Sequence, residues 1–405
     1  MTRSANIGIA GAGIGGLALA ILLHDRGHKP EIFERFEHPK PVGSGLVIQP
    51  VGQSILARLG CLDEVIRHGN KVIRMLGSEA SSGRRVLDVH YGEALEHGRF
   101  GLSIQRASIF DALFNAALDR GIPIHTSCDI SGHDGKAFLF EDSKRTKDFD
   151  LLVDASGARS RLSPLKSKQL SYGALWAKLN WVEDAGFDRT LLNQRYNGAR
   201  NMIGVMNTGM MRTGETESAA FFWSLPSDSY QDWRSAGLSR WRDEAVRLWP
   251  ETEPFVQQVT DPDQFTMARY THGTLRRPYE DGIAFIGDAA HRASPQLGQG
   301  ANMALLDAAA LADALDRHAP AQATVAYARA RRVHVAIYQA MSWVFTPMYQ
   351  SNSRVLPVLR NNLLFPLSLI PPAPRVLTSL VCGTMTNPIR YLPQTTPSTR
   401  VSQSR

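Results

Sequence analysis

A glycine-rich turn near the N-terminus constrains this chain more than any other feature. An apolar run at 5–10 leads directly into GAGIGG at 11–16, and LALAILL follows. This order predicts a buried strand, a tight turn and a buried helix. The glycine spacing permits the sharp bend, the approach of a pyrophosphate to the backbone, and close contact between helix and strand. The residues predicted to hold a dinucleotide diphosphate at this helix N-terminus are Gly11, Gly13, Ile14, Gly15 and Gly16.

A carboxylate lies at the end of the next apolar segment. Gly27 is predicted to end the helix, and EIFE at 31–34 predicts a second buried strand, which completes a strand–helix–strand unit. At that strand end Glu34 is expected to accept hydrogen bonds from both hydroxyls of an adenosine ribose, with Arg35 on the adenine side. The unit therefore favours FAD or NAD over NADP.

Composition excludes several classes of protein. The chain has 405 residues, of which 43% are hydrophobic, so it can bury a substantial core. Its net charge of +7 comes from scattered basic residues without a nucleic-acid motif. The three cysteines form no metal or disulfide pattern, which is typical of a reducing cytoplasm, and no metal site is expected. The uncharged stretch at 7–23 is too short to span a membrane, and no targeting segment is predicted.

Hydrophobic patterns predict two domains that share one cleft. Helices are expected at 51–60, 106–120 and 300–315, and a strand pair around a turn at 72–90. The region 168–280 is richer in aromatic residues and in alternating patterns, with strands at 172–181, 202–206 and 219–225. A further strand is expected at 282–286, so the first domain is assembled from separate pieces of the chain.

A second motif narrows the dinucleotide to FAD. GDAAH at 287–291 is followed by PQLGQGAN at 295–302, and here the sequence resembles the class A flavin-dependent aromatic hydroxylases, which include para-hydroxybenzoate hydroxylase. The resemblance implies that Asp288 binds the ribityl chain, that Pro295 faces the flavin, and that Arg106 reaches the diphosphate region. It also puts Ser44 beside the cofactor. The residues matched to the flavin pyrimidine are Gly298, Gly300, Ala301 and Asn302.

Pattern and resemblance together give the predicted architecture. The fold is α/β, in two domains: a Rossmann-like FAD-binding domain and a mainly β substrate domain, followed by C-terminal helices. The predicted ranges are 1–70, 97–167 and 281–345 for the FAD-binding domain, 71–96 and 168–280 for the substrate domain, and 346–405 for the helical region with a disordered tail from 395. The C-terminal helices are expected to pack on the protein, with attachment to a membrane surface as the alternative.

One position departs from the family pattern. The family carries an Asp-Gly pair where this chain has Ser156 and Gly157, within DLLVDASGARSR at 150–161. In the family that pair helps to bind both FAD and the nicotinamide reductant. The neutral Ser156 therefore makes NADH or NADPH, as a transient reductant, less certain than FAD and leaves a reductase partner as an alternative.

The resemblance also implies a reaction. Hydride from NAD(P)H reduces FAD, O2 adds at flavin C4a to give a hydroperoxide, and one oxygen passes to an electron-rich aromatic ring. Aromatic residues expected along the substrate pocket are Trp176, Phe222 and Trp223, together with Pro295. Candidate bases are Tyr172, Lys178, Tyr196 and His272, none of them decided. The alternatives are a related oxidase or halogenase reduced by a partner, and an FAD-binding protein without turnover; a monomer and a homodimer both stay open.

Overall fold

The structure is a computed structural model, and it describes residues 4–39, 45–92, 98–141, 144–212 and 214–389. The strands, numbered along the chain, are β1 Asn6–Ala10, β2 Lys29–Phe33, β3 Gly45–Ile48, β4 Asn70–Val72, β5 Arg74–Glu79, β6 Arg85–His90, β7 Gly101–Gln105, β8 Ile124–His125, β9 Ile130–His133, β10 Phe138–Phe140, β11 Leu151–Asp154, β12 Lys168–Asn180, β13 Leu191–Asn197, β14 Asn201–Asn207, β15 Ser218–Pro226, β16 Thr266–Thr274, β17 Tyr279–Glu280, β18 Ile283–Phe285 and β19 His291–Arg292.

Helices connect these strands and form the C-terminal part. They are α1 Ile14–His24, α2 Pro50–Arg58, α3 Leu62–His68, α4 Arg106–Asp119, α5 Tyr230–Leu248, α6 Glu253–Val256, α7 Gly300–Leu315, α8 Pro320–Tyr349, α9 Val355–Leu359, α10 Phe365–Ser368 and α11 Ala373–Cys382. Gly27 ends the first of them as predicted, because its φ of +80° suits the turn in which its N–H donates to the His24 carbonyl.

The first sheet is built around the glycine-rich turn. Within the described ranges it has six strands in the order β17-β18-β11-β1-β2-β8. The strands from β18 to β8 are parallel, and β17 pairs antiparallel at one edge. Three separate pieces of chain thus meet in one sheet, and the carboxyl ends of β1, β2 and β11 lie at the same edge.

Alternation along the strands gives the first sheet two different faces. Ile7 and Ile9 of β1 belong to the core that contains α1, α4 and α7, whereas Ala10 belongs to a cluster with phenylalanines on the opposite face. Gly8 also lies on that opposite face, where a Cβ atom would lie 2.8 Å from the Phe149 ring. Burial on both faces explains why the central strands β1, β11 and β18 are mainly apolar.

The second sheet forms most of the β-rich domain. Among the described residues it has eight strands in the order β19-β16-β12-β15-β14-β13-β5-β6. All neighbours are antiparallel except β13 and β5. The predicted hairpin at 72–90 is β5 and β6, and it lies in this sheet as expected. A smaller sheet in the order β3-β7-β4 lies beside the two larger ones.

Helix α5 covers one face of the second sheet and was absent from the sequence-based prediction. Trp241 of α5 packs on Phe221 and Trp223 of β15, with ring centroids 6.0 and 6.3 Å apart. The helix is interrupted at Gly237, whose φ is +81°. Its low apolar content concealed it, since only a few of its side chains reach the core.

The C-terminal helices pack against both large sheets, yet their outer sides are apolar. Exposed side chains on them are Val355, Val358, Leu359, Leu363, Leu367, Leu369, Ile370 and Val376. In the part of the chain that the structure describes, no single helix is long and apolar enough to cross a membrane. Val355–Ser368 and Ala373–Cys382 meet the length and composition criteria only as a pair bent by 101°. The predicted tail lies outside the described residues.

The two large sheets are built from different segments of the chain, and the exact domain limits stay a prediction. Two details differ from the expected ranges. The limit after residue 345 falls inside α8, which runs without a break to Tyr349. The short strand β19 pairs with β16, so a piece of the third predicted FAD-binding segment extends the second sheet.

Candidate functional site

A first cavity of about 340 Å³ lies at the carboxyl ends of the parallel strands. Its wall includes the glycine-rich turn, the end of β2, the start of α4 and the segment after β11. The predicted residues that line it are Gly11, Gly13, Ile14, Glu34, Arg35, Arg106 and Asp288. In an open parallel sheet this edge is where ligands bind, because helix N-termini converge there.

The glycines of the turn have different tasks. Gly11 has a φ of +98°, and a Cβ atom there would lie 2.8 Å from the Ser156 Cα atom. A Cβ atom on Gly16 would lie 2.0 Å from the Gly11 carbonyl oxygen. At Gly13, in contrast, a Cβ atom would meet no described atom within 4 Å. The open side of Gly13 thus faces the cavity and offers the close approach that a diphosphate needs.

Gly15 and Gly16 support the binding turn by packing, and a direct contact of either residue with the cofactor stays a prediction. Gly15 and Gly16 are not part of the described wall of the first cavity. A Cβ atom on Gly15 would lie 3.3 Å from the Ala304 Cβ atom, so this glycine allows α1 to pack against α7. Gly16 allows the first turn of α1 to close on Gly11. Both glycines therefore shape the binding turn.

Glu34 fixes the turn while it lines the cavity. Its Oε2 atom accepts a hydrogen bond from the Ala12 N–H at 2.8 Å, and Oε1 accepts one from Phe36 at 3.1 Å. A carboxylate has about four acceptor positions, so two are left for ligand hydroxyls. Arg35 lies beside it, with its guanidinium 4.5 Å from the centroid of the Phe36 ring.

A second cavity of about 400 Å³ adjoins the first, and Arg106 and Asp288 line both. Desolvation by the surrounding protein lowers the pKa of Arg106, and Asp288 opposes that shift. The Arg106 side chain is exposed to the cavity, where its guanidinium can bind an anionic ligand such as a diphosphate. The two shared residues mark the passage along which a single long ligand would extend through both cavities.

One wall of the second cavity is a face of the second sheet. Trp176 and Phe222 are register partners in β12 and β15, and their ring centroids lie 4.7 Å apart. The Phe222 ring covers Gly204, where a Cβ atom would lie 1.9 Å from the ring. The Trp176 Nε1–H donates to the Tyr270 hydroxyl oxygen at 2.9 Å. The methionines on this wall are Met75, Met202, Met206 and Met303.

The opposite wall is the loop that leads into α7. Pro295, Gly298, Gly300 and Ala301 line the cavity, and Gly298 has a left-handed φ of +60°. The N-terminus of α7 begins at Gly300, where a Cβ atom would meet no described atom within 4 Å. Free N–H groups and the positive helix end therefore point into open space, an arrangement that stabilises negative charge on a bound group.

The side chain of Asn302 supports the loop from inside the protein. It is fully buried and lies outside the described cavity wall. Its Oδ1 atom accepts from the Gln49 N–H at 2.9 Å, and its Nδ2–H donates to the Gly298 carbonyl at 2.9 Å. The Asn302 side chain therefore holds the loop in shape, and a contact of this residue with the flavin stays a prediction. Ser44, the other match by resemblance, lies outside the described residues.

A sequence profile described as "FAD binding domain" matches residues 4–337. The chain belongs to the class A FAD-dependent aromatic hydroxylases. It is therefore an FAD-dependent monooxygenase, an oxidoreductase whose cofactor is FAD. The open side of Gly13 and the two joined cavities fit that cofactor, because they offer a diphosphate cradle and room for a flavin ring along one path.

Curated relatives and solved structures agree with this family. Hispidin-3-hydroxylase of Neonothopanus nambi is 25% identical over 361 residues, which cover 78% of this chain and 81% of the relative. Kynurenine 3-monooxygenase of Xanthomonas campestris pv. campestris is 28% identical, over 82% of this chain and 77% of the relative. HpxO of Klebsiella pneumoniae, solved with FAD and uric acid, has a TM-score of 0.76 at 18% identity over 94% of this chain and 96% of its own.

Trp223 is a correction among the predicted substrate contacts of this hydroxylase. Adjacent strand residues point to opposite faces, so Trp223 lies on the face that α5 covers, while Phe222 faces the cavity. Trp176 and Pro295 both line the cavity, and their contact with the substrate stays a prediction. The sequence left the choice of face open, and the position of α5 decides it.

The four candidate bases all lie outside the described wall of the second cavity. The Tyr172 hydroxyl donates to Asn352 Oδ1 at 2.7 Å, and the buried Tyr196 hydroxyl donates to Gln194. The His272 Nε2 atom accepts from the Ser294 N–H at 2.9 Å, and Lys178 lies beside Met211. Each of these four side chains therefore has a contact outside the second cavity.

Tyr270 is the polar wall residue that the sequence reasoning missed. Burial raises the pKa of its phenol well above the ordinary value, while the hydrogen bond from Trp176 opposes the rise. Among the described residues the hydroxyl hydrogen has no acceptor, because the recorded bond is one that the oxygen accepts. The sequence signal for this residue was the alternation along β16, which puts Ala268 and Tyr270 on the same face of the strand.

A buried charge network supports the Gly287-Asp288 turn from behind. The Asp307 Oδ2 atom accepts from the Gly287 N–H at 2.9 Å and from His291 at 2.6 Å, and Oδ1 accepts from Arg331 at 2.7 Å. Burial raises the pKa of Asp307, but His291 and Arg331 outweigh it and hold that pKa well below its usual range. The signal in the sequence was a carboxylate, Asp307, in the middle of the Ala/Leu-rich helix α7.

Ser156 lines the first cavity, and its hydroxyl turns away from it. The Ser156 Oγ–H donates to Asp154 Oδ1 at 2.5 Å, and Ser160 donates to the other oxygen of the same carboxylate. Burial raises the pKa of Asp154, and these donors oppose the rise. A carboxylate is thus present beneath the cavity floor, two positions before the place where the family pattern has one.

Proposed function

We propose that the protein hydroxylates an electron-rich aromatic ring, phenolic or heteroaromatic, with O2 and with electrons from NADH or NADPH. The second cavity carries this proposal, because an aromatic sheet face lies opposite the loop that leads into α7. Small aromatic or heteroaromatic compounds appear in the names of the relatives, among them kynurenine and uric acid. A flat ring between the two walls is the arrangement that the cavity favours.

The cofactor would extend through both cavities. The diphosphate would lie on Gly13 and the N-terminus of α1, near Arg106, with the adenosine ribose at Glu34. Asp288 would bind the ribityl chain, and the flavin ring would lie along Pro295 to Ala301. When bound, FAD supplies the redox chemistry, since it can accept electrons from a nicotinamide and activate O2.

The protein's own residues would position the substrate and exclude water. Trp176 and Phe222 present an apolar wall to a planar ring, and the methionines beside them adapt to its outline. The raised pKa of Tyr270 keeps its hydroxyl protonated near neutral pH. It would therefore donate a hydrogen bond to a substrate oxygen, and the base that deprotonates a phenol would have to be a different group or water.

The source of electrons is part of the proposal. Ser156 offers no charge to a nicotinamide, whereas Arg159 and Arg161 both line the first cavity and could meet phosphates. We favour direct reduction by a nicotinamide, with a separate reductase as the second candidate because of Ser156. The oligomeric state of the active form, monomer or homodimer, requires a separate measurement.

Mixing the FAD-loaded protein anaerobically with NADH or with NADPH tests the reductant, because direct reduction bleaches the flavin absorbance. Admission of labelled dioxygen in the presence of candidate phenols then tests the reaction. Incorporation of one labelled oxygen atom into the ring supports the hydroxylase. Peroxide release without any oxygenated product, across phenols and heteroaromatic compounds, would contradict it, and turnover that requires added reductase would favour the second candidate.

A further inference from the structure

A third cavity of about 110 Å³ lies between the second sheet and the C-terminal helices. Its wall is mainly apolar. The apolar side chains that line it are Met75, Val86, Leu87, Val89, Leu297, Phe345, Met348, Leu364, Phe365, Leu377, Leu380 and Val381. Cavities of this composition favour hydrocarbon over water, since water finds few hydrogen-bond partners in them.

The charged residues at this cavity are already paired. The Arg360 guanidinium donates to Glu79 Oε2 at 2.8 Å and to the Met348 carbonyl at 3.0 Å, and it is 2% exposed. Asp88 accepts two hydrogen bonds from Arg74, each at 2.7 Å. Neither residue therefore offers a free charge to a ligand, so the cavity selects for an apolar group.

The third cavity adjoins the second, where the aromatic ring is proposed to bind. Both cavities share the side chains of Met75, Gln194, Gln296 and Leu297. An unbranched methionine and a leucine at such a boundary can rearrange at low energetic cost. The Gln296 Oε1 atom is buried and has no partner among the described residues. It can accept a hydrogen bond from an N–H or O–H group of a ligand that lies across this boundary.

We propose that the substrate carries an apolar side arm, such as an alkyl chain, and that the third cavity binds it while the ring occupies the second cavity. The inference rests on the proposed function, because it assumes that the second cavity holds the ring. It adds the class of substrate: an aromatic head with a polar donor near the point where the chain is attached, which Gln296 would recognise.

The volume sets the length of the chain. A cavity of roughly 150 Å³ holds benzene, with its six carbons, so by proportion about 110 Å³ holds about four carbons. Burial of each methylene should strengthen binding by about fourfold. Affinity should therefore rise steeply over the first few carbons of the chain and then level off.

A series of ortho-alkylphenols from ortho-cresol to ortho-octylphenol, titrated into the FAD-loaded protein by calorimetry, measures this dependence. Val89→Phe should fill the cavity and flatten the dependence while leaving ortho-cresol binding unchanged. Leu364→Ala should enlarge the cavity and move the plateau to longer chains. Val355→Phe is the matched control, because Val355 is 72% exposed on α9 and lies outside the described wall of the cavity.

The inference is supported if the parent shows the steep rise and the two cavity variants move the plateau in opposite directions. It is overturned if affinity is independent of chain length, if no member binds, or if Val355→Phe changes the dependence as much as Val89→Phe. Oxygen incorporation is scored separately with the same compounds. A chain-length dependence without hydroxylation defeats the proposed function alone, and hydroxylation without that dependence defeats this inference alone.

Discussion

Substitution of Gly13 by valine should weaken FAD binding while leaving the stability of the fold unchanged. Gly13 has φ −77° and ψ 180°, which any residue adopts, and an added Cβ atom would meet no described atom within 4 Å. The free energy of unfolding without FAD should therefore change by no more than about 0.5 kcal/mol. The valine side chain would instead occupy the space that the diphosphate needs.

The loss of affinity follows from the contacts that would be displaced. Two backbone N–H groups bonded to a charged phosphate contribute about 1.5 kcal/mol each at the low end, or about 3 kcal/mol together. That loss corresponds to about a 100-fold rise in the Kd of FAD. The rise can be read from flavin fluorescence during titration of the apoprotein, and thermal unfolding of the same samples reports the fold.

Two further glycines make the comparison decisive. Gly132→Val is a matched control, since the nearest described atom to its Cβ position is Leu139 Cδ1 at 3.9 Å and it lies outside the described cavity walls. Gly16→Ala should unfold the turn, because its Cβ atom would lie 2.0 Å from the Gly11 carbonyl oxygen. Unchanged FAD affinity in a folded Gly13→Val protein would refute the reasoning, and so would instability equal to that of Gly16→Ala.

Three other outcomes are expected. Tyr270→Phe should raise KM for a phenol by about tenfold through loss of one hydrogen bond, with FAD affinity unchanged; an unaltered KM would exclude the contact. Trp176→Leu should impair substrate binding, whereas Trp223→Leu should lower the melting temperature without a specific effect on KM; the reverse pattern would contradict the assignment of faces. Burial and the neighbouring Arg331 lower the pKa of His334 to about 3. Between pH 6.5 and that value only the unfolded state binds a proton at this histidine, so the free energy of unfolding decreases as the pH is lowered. His334→Gln should reduce that slope by up to about 1.4 kcal/mol per pH unit, as measured by denaturant unfolding between pH 6 and 4.

The cofactor half of the molecule could be predicted well from the sequence. In that half, function requires particular residues at fixed spacing, so the strand, the turn at Gly11 and helix α1 follow from local pattern. Asp288 and the loop through Ala301 were recognisable for the same reason. The tasks of Gly15 and Asn302 were not, because a packing contact with α7 or with Gln49 depends on elements distant in the chain.

The substrate half was less predictable for a physical reason. Its strands have apolar side chains on both faces. Alternation therefore predicts that Phe222 and Trp223 lie on opposite faces of the sheet, but it does not show which of them faces the ligand. That choice depends on α5, a helix with little apolar periodicity. Tyr270 escaped notice because β16 is only partly buried and resembles a loop in composition.

The assembly of the FAD site from distant segments has a consequence for biosynthesis. The glycine-rich turn leaves the ribosome early, whereas Asp288 and the loop before α7 emerge only after the whole second sheet has been made. Since chains fold from the N-terminus as they are translated, α1 can form long before it has a complete ligand site. FAD can therefore bind its complete site only on the finished polypeptide, where it stabilises the folded state more strongly as its concentration rises.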